Sequence, residues 1–150
     1  INLQGDMPNI DPQAIADLVS YMSKGECDIG TLASSFSSEV ELNDENNVKV
    51  AVKKKIKFGN FSKAIDFFRA PADKHENIYH HIGIYAFTNK ALVRYVSLER
   101  SKLELERKLE QLRALENDMS IQVGYINSSP LSVDTKDDLI KVKKIMENNE

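Results

Sequence analysis

The run Tyr79-His80-His81-Ile82-Gly83-Ile84-Tyr85-Ala86-Phe87 alternates with period two, and a period-two run predicts a β-strand rather than a helix. Ile82, Ile84 and Ala86 share one apolar face, while Tyr79, His81, Gly83, Tyr85 and Phe87 share the other. At ~3.3 Å rise per residue, His81 and Tyr85 stand roughly 13 Å apart with Gly83 between them. A strand glycine weakens the sheet but lets another molecule approach the backbone. This face therefore reads in two ways. It is a shallow dent flanked by an imidazole and a phenol, or it is a core surface with a satisfied histidine and a packed tyrosine.

Composition narrows the partners. At 150 residues, with 41% hydrophobic and 29% charged residues, the chain has the makings of one domain with a real core. A net charge of −3 gives no reason to expect nucleic acid or an anionic membrane. The basic run Lys53-Lys54-Lys55-Ile56-Lys57 is short and lacks interleaved aromatics, so it reads as a solvated hairpin rim. The single Cys27 excludes an internal disulfide framework and fits a reducing, cytoplasmic setting. No apolar run approaches the ~20 residues of a membrane span. The chain opens on Ile1 directly in a strand-like run, which leads us to expect that a longer protein precedes it.

Strand and helix patterns alternate along the sequence. Ile1 to Asp6 reads as a strand of a parallel sheet, delivering a carboxylate to its C-terminal edge, where open α/β sheets bind ligands. Asp11 and Pro12 open a helix with Ile15, Leu18, Val19 and Met22 as its apolar stripe, stopped by Gly25. Cys27 to Ala33 is the next strand, and a short helix is expected at Glu39–Asn43. Val48 to Val52 alternates as a strand with Val48, Val50 and Val52 inward, and Lys63 to Arg69 forms another. Thr88 caps a helix to about Ser97, with Ala91, Leu92, Tyr95 and Val96 apolar. Ser101-Lys102-Leu103-Glu104 is a capping box for one helix to about Asn117, with Leu105, Leu109 and Leu112 as its buried stripe. Glu104 and Lys108 form a favourable i,i+4 pair in that reading. Ile121, Val123 and Tyr125 form a last strand, and Asp134 launches a helix with Leu139, Val142, Ile145 and Met146 inward. The class is α/β.

Two carboxylates stand where a strand hands over to a loop or helix: Asp6 and Asp134. If their strands are neighbours, both converge on one hard cation such as Mg²⁺, which takes one or two carboxylates and fills its shell with water and phosphate oxygens. The competing readings are a turn aspartate and a plain N-cap. Glu110 and Gln111 lie beside the buried stripe of their helix, and Glu110 with Arg113 fits a surface ion pair worth under about 1 kcal/mol. His75, His80 and Cys27 lack zinc-ligand spacing. No nucleophile elbow, Walker A loop or dinucleotide fingerprint is present.

Several stretches together carry a resemblance. They are Asn2-Leu3-Gln4-Gly5-Asp6-x-Pro8, Arg69-Ala70-Pro71, His81-Ile82-Gly83-Ile84-Tyr85, Leu109-Glu110-Gln111-Leu112-Arg113-x-Leu115-Glu116, and Val133-Asp134-Thr135 with Asp138-Leu139. In this order, across essentially the whole chain, they resemble the 3-deoxy-manno-octulosonate cytidylyltransferase (CMP-Kdo synthetase) family. The resemblance implies a three-layer, Rossmann-like mixed sheet flanked by helices, of which residues 1–150 form a single-domain C-terminal portion. It implies transfer of CMP from CTP to the anomeric hydroxyl of the sugar acid Kdo, for lipopolysaccharide synthesis, with release of pyrophosphate. Asp6 and Asp134 would be catalytic Mg²⁺ ligands. Gln4, Arg69, His81, Tyr85, Glu110 and Gln111 would line the substrate site. A homodimer is implied, with the sugar-binding and dimerisation portion at about residues 69–116.

Departures accompany the match. Met7 stands where the family often has Glu, Phe68 where a Ser commonly precedes the arginine, and the loop between Pro71 and His80 is short. The basic N-terminal nucleotide-binding segment of the family has no counterpart in this sequence, so these residues alone are expected to be inactive. A related transferase for a sialic-acid-type sugar and an inactive binding or assembly module are the alternatives.

Overall fold

The computed structural model describes residues 1–4, 6–70, 75–127, 129–133 and 135–147. Six strands form one mixed sheet: β1 (Asn2–Leu3), β2 (Ile29–Ser34), β3 (Lys49–Val52), β4 (Phe61–Phe68), β5 (Ile78–Phe87) and β6 (Ile121–Tyr125). Their order is β1-β5-β2-β6-β4-β3, and β3 also pairs with the start of β5, so the ladder returns on itself. Only β2 and β6 run parallel among these pairs.

The strand that organises the sequence also organises the sheet, since β5 pairs with β1, β2 and β3. It contains a bulge. Thr31 stands opposite Tyr85 and Leu32 opposite Ile82, so Gly83 and Ile84 have no partners on β2. The Thr31 hydroxyl satisfies the distorted backbone, lying 2.7 Å from the Ile84 carbonyl and 3.3 Å from that of Ile82.

Helices cover both faces, giving three layers. α1 (Pro12–Met22) lays Ala14 and Leu18 against Leu32, Ile82, Ile84 and Ala86. On the opposite face Ala91 of α3 (Asn89–Ser97) joins Leu109, Leu112 and Ala114 over Ile29, Val50, Phe67 and Ile121. Both faces of β5 are thus packed, and the second reading of its aromatic face holds in part. Local chemistry sets the helix starts as expected. Asp11 accepts from the Gln13 N–H, Thr88 from the Ala91 N–H, and Ser38 caps the short α2 (Glu39–Asn43).

Four expectations are corrected. β1 is an antiparallel edge strand, so Asp6 is delivered by the turn that follows it. Lys49 is fully buried rather than outward, because its ammonium finds the carbonyls of Asp44 and Arg69, each at 2.6 Å.

The helix expected from Ser101 to about Asn117 is two, α4 (Lys102–Arg107) and α5 (Gln111–Glu116), bent at Lys108 with φ 55° and ψ 44°. Glu104 is 1% exposed and pairs with Arg113 instead of Lys108, while Leu105 faces outward. Nine positions apart on a straight helix, these two side chains would point roughly 180° apart and lie ~13 Å apart along the axis. Their bond requires the bend.

Finally, Val19 of α1, Leu92 and Val96 of α3, and Leu139, Ile145 and Met146 of α6 (Lys136–Glu147) are exposed, leaving Ala14, Leu18, Ala91 and Val142 as the buried anchors. An apolar stripe shows which way a helix can face, not what covers it.

Candidate functional site

The turn after β1, the segment from β2 to β3, Arg69 just after β4, the middle of β5, the α4–α5 bend, Asn127 and residues 129–132 enclose one cleft of about 920 Å³. Gln4, Asp6, Arg69, His81, Tyr85, Glu110 and Gln111 all line it. Asp134 lies outside the described residues.

The floor is β5. His81 is 6% exposed, and its Nε2 lies 2.9 Å from the Thr31 hydroxyl. That hydroxyl has one proton, and the Ile84 carbonyl at 2.7 Å takes it. His81 therefore donates from Nε2, leaving Nδ1 as the ring's acceptor. Burial pushes its pKa down to about 3, so the imidazole is neutral at ordinary pH. Tyr85 is held as a neutral phenol, its pKa raised by burial and then by Tyr95 and Glu110. Between them the dent at Gly83 is occupied from within the chain: a methyl group placed there would lie 2.9 Å from Gln4 Oε1.

One wall is the segment between β2 and β3. The Arg69 guanidinium donates from Nη1 to the carbonyls of Asn46 at 2.8 Å and Glu45 at 3.2 Å. Lys49 holds the same segment from beneath. His80 Nδ1 lies 3.0 Å from Glu41 and 3.2 Å from the Ser129 hydroxyl, and Phe36 stacks on its ring. Sequence reasoning passed over this cluster, whose members are far apart in the chain and carry no motif.

The opposite wall is the α4–α5 bend. Buried Glu104 accepts from Arg113 at 2.6 and 2.8 Å and from Arg100 at 3.1 Å. The Arg113 guanidinium lies over the Tyr95 ring, and the Tyr95 hydroxyl donates to the Glu110 carbonyl at 3.0 Å. This chain of contacts turns Glu110 and the 8%-exposed Gln111 to the cleft. Arg113 is thus bound to Glu104 and not to Glu110, contrary to the surface-pair reading.

At the rim, Asp6 Oδ1 is buried with no hydrogen-bond partner among the described residues. The Val133 N–H donates to the Asp6 carbonyl at 2.8 Å, so the 129–133 segment runs back to Asp6. An unpartnered carboxylate oxygen suits a hard divalent cation. Among the described residues no three His, Cys, Asp or Glu side chains gather into a metal cage, and a cation bound mainly by water and phosphate does not require one. No helix among them is long and apolar enough to cross a membrane.

Known proteins resemble this chain in sequence and in fold. The sequence model of a cytidylyltransferase family matches residues 1–121. The 3-deoxy-manno-octulosonate cytidylyltransferase of Bartonella bacilliformis is 42% identical over 147 residues, covering 97% of this chain and 60% of that protein. The Rhizobium meliloti protein of the same name is 44% identical over 147 residues, covering 97% and 58%. A solved CMP:2-keto-3-deoxy-manno-octonic acid synthetase complexed with CTP superposes with a TM-score of 0.87 at 30% identity, over 99% of this chain and 61% of that one. A UTP-bound UGPase from Acinetobacter baumannii has a TM-score of 0.67 at 9% identity, over 91% of this chain and 45% of that one, a likeness of fold alone. The chain therefore spans about 60% of the length of such relatives.

Proposed function

Because the chain belongs to the cytidylyltransferase family, we propose that the intact protein transfers CMP from CTP to the anomeric hydroxyl of 3-deoxy-D-manno-octulosonate, releasing pyrophosphate, as a cytoplasmic step of lipopolysaccharide synthesis. The observation that carries this reading is the single cleft lined by Gln4, Asp6, Arg69, His81, Tyr85, Glu110 and Gln111, which come from distant parts of the chain. A hydroxyl-rich sugar acid needs such a surface of mixed donors and acceptors, and the names of the relatives point the same way.

In this reading His81 accepts a hydrogen bond from a sugar hydroxyl at Nδ1, since its Nε2–H is engaged by Thr31. The Tyr85 phenol donates, and Glu110 and Gln111 receive and donate on the opposite side. Arg69 and Gln4 border the same site. The reaction brings the anomeric oxygen in line with the α-phosphorus of CTP, and holding that geometry is the main task of these residues. Asp6 and Asp134 would hold Mg²⁺, which when bound neutralises phosphate charge and makes the hydroxyl more acidic. No protein general base is assigned.

Mixing the intact protein with CTP, Mg²⁺ and the octulosonate should release pyrophosphate. Silence with this sugar but turnover of a sialic-acid-type substrate would overturn the assignment of the acceptor. Silence with both would leave a binding module. We also propose a homodimer through residues 69–116, supported by Val93 and Val96 of α3, which are 69% and 68% exposed. Light scattering that gives only the monomer mass would overturn it.

A further inference from the structure

We infer that Lys108 is the residue that binds the carboxylate of the sugar acid, an inference that rests on the proposed function. Three observations converge on it. Lys108 lines the cleft at the α4–α5 bend, two positions before Glu110. Its backbone is left-handed, with φ 55° and ψ 44°, a conformation that glycine adopts without cost and lysine does not. And its ammonium is uncommitted, with no ion pair or side-chain hydrogen bond to any described residue.

Electrostatics explain why the third point matters. The described lining contributes the carboxylates of Asp6, Glu41 and Glu110 to the cleft. An acceptor that is itself a carboxylate meets repulsion from these and needs a cation. Arg69 already turns Nη1 to the carbonyls of Glu45 and Asn46, and Lys49 is buried behind the wall on two more. Among the described residues of the lining, Lys108 is the cation left to answer the substrate. Its position also selects the acceptor over CTP, because the bend that carries it is the wall that presents Glu110 and Gln111. A lysine works here as a mobile point charge on a long stem, reaching a carboxylate without a fixed fork geometry. Retaining lysine where glycine would relax the backbone fits a side chain kept for its contact.

The test uses the intact enzyme with Lys108→Met, Lys108→Gly and Lys108→Arg. Loss of a charge-assisted hydrogen bond should raise KM for the sugar acid about tenfold or more in the first two. In both, KM for CTP and kcat should stay within about twofold, and Lys108→Arg should recover most of the loss. Lys108→Gly separates binding from a structural role. If Lys108 served only the bend, glycine would be as good or better and KM would not move; binding requires KM to rise while Tm stays at or above that of the wild type. An unchanged sugar-acid KM in Lys108→Met overturns the inference, as does a rise in KM for CTP instead. Wild-type turnover of a different sugar acid would overturn the octulosonate assignment alone, because the lysine effect is then read with that acid. A wild type silent with every sugar acid overturns both.

Discussion

Arg113 donates to buried Glu104 twice, from Nε to Oε2 at 2.8 Å and from Nη2 to Oε1 at 2.6 Å, across the bend between α4 and α5. The pair joins a carboxylate near the start of one short helix to a guanidinium in the next, and Tyr95 passes its placement on to the Glu110 carbonyl. Glu104→Ala removes one partner and leaves the Arg113 charge in a site where its side chain is 16% exposed. We expect a loss of about 3 kcal/mol, the low end for breaking a buried pair, since this guanidinium retains some access to water. Urea unfolding measures it, and a loss below about 1 kcal/mol would mean that the bend is set by Leu109 and Leu112 alone.

The same pair sets an acid limit. Hydrogen bonds from Arg113, opposed by burial and aided by Ser101 and Arg100, push the Glu104 pKa down to about 2. In the unfolded chain a glutamate titrates near ~4.3. The folded-state pKa is the lower one, so this contribution is fully present above about pH 4.3 and is lost as pH falls toward about 2. Unfolding free energy measured across that window should fall in the wild type and fall less steeply in Glu104→Gln. Parallel curves would exclude Glu104 as the group responsible.

His81 titrates in the opposite sense to a paired histidine. Burial, with His80 as a second cause, pushes its pKa down to about 3 from an ordinary value of ~6.5. Between these values the unfolded chain binds the proton and the folded protein does not, so the contribution is intact above about pH 6.5 and is lost as pH falls. Nitrogen-15 spectra of the imidazole should show the neutral ring, protonated at Nε2, from pH 8 down to about pH 5. A midpoint near 6.5, or the opposite tautomer, would undo the hydrogen-bond assignment to Thr31.

How much of this was legible in the sequence depends on what kind of order is at issue. The strand β5, the caps of α1 and α3, and the short α2 follow from period and from single side chains acting within a few residues, and they formed where the residues indicated. The bend at Lys108 did not announce itself, because the capping box and leucine spacing of residues 101–117 satisfy one straight helix. Only the bond from Glu104 to Arg113, nine positions apart, contradicts that helix, and a bond across a bend has no local signature. The burial of Lys49 is hidden for a similar reason: alternation cannot show that two backbone carbonyls wait to receive an ammonium. The cleft residues were legible through ordered motifs, whereas Lys108 and the His80–Glu41–Ser129 cluster needed coordinates to bring them together.

Gly83 tests the dent in β5. A side chain there would meet Gln4 Oε1, 2.9 Å from the added methyl, and the tip of a flexible side chain can move aside. Gly83→Val should therefore cost only about 1 kcal/mol of stability. Its effect on function should be larger, because Gln4 is displaced into the volume between His81 and Tyr85. A several-fold rise in KM for the sugar acid with kcat nearly retained is expected in the intact enzyme. Unchanged KM would show that the acceptor does not use this part of the cleft.

Asp6 offers the sharpest separation of metal binding from folding. Its Oδ1 is buried without a hydrogen-bond partner among the described residues, a situation that costs stability when the carboxylate is charged and no cation is present. Asp6→Asn removes that charge while keeping the shape. Without metal, the variant should melt no lower than the wild type. With Mg²⁺ at ten times its dissociation constant the wild type should gain about 1.4 kcal/mol, and the variant should lose most of that gain. Calorimetry with and without Mg²⁺ reads both effects in one protein. An equal Mg²⁺ response in the two proteins would remove Asp6 from the metal site, while a variant that melts well below the wild type without metal would show that this carboxylate serves the fold.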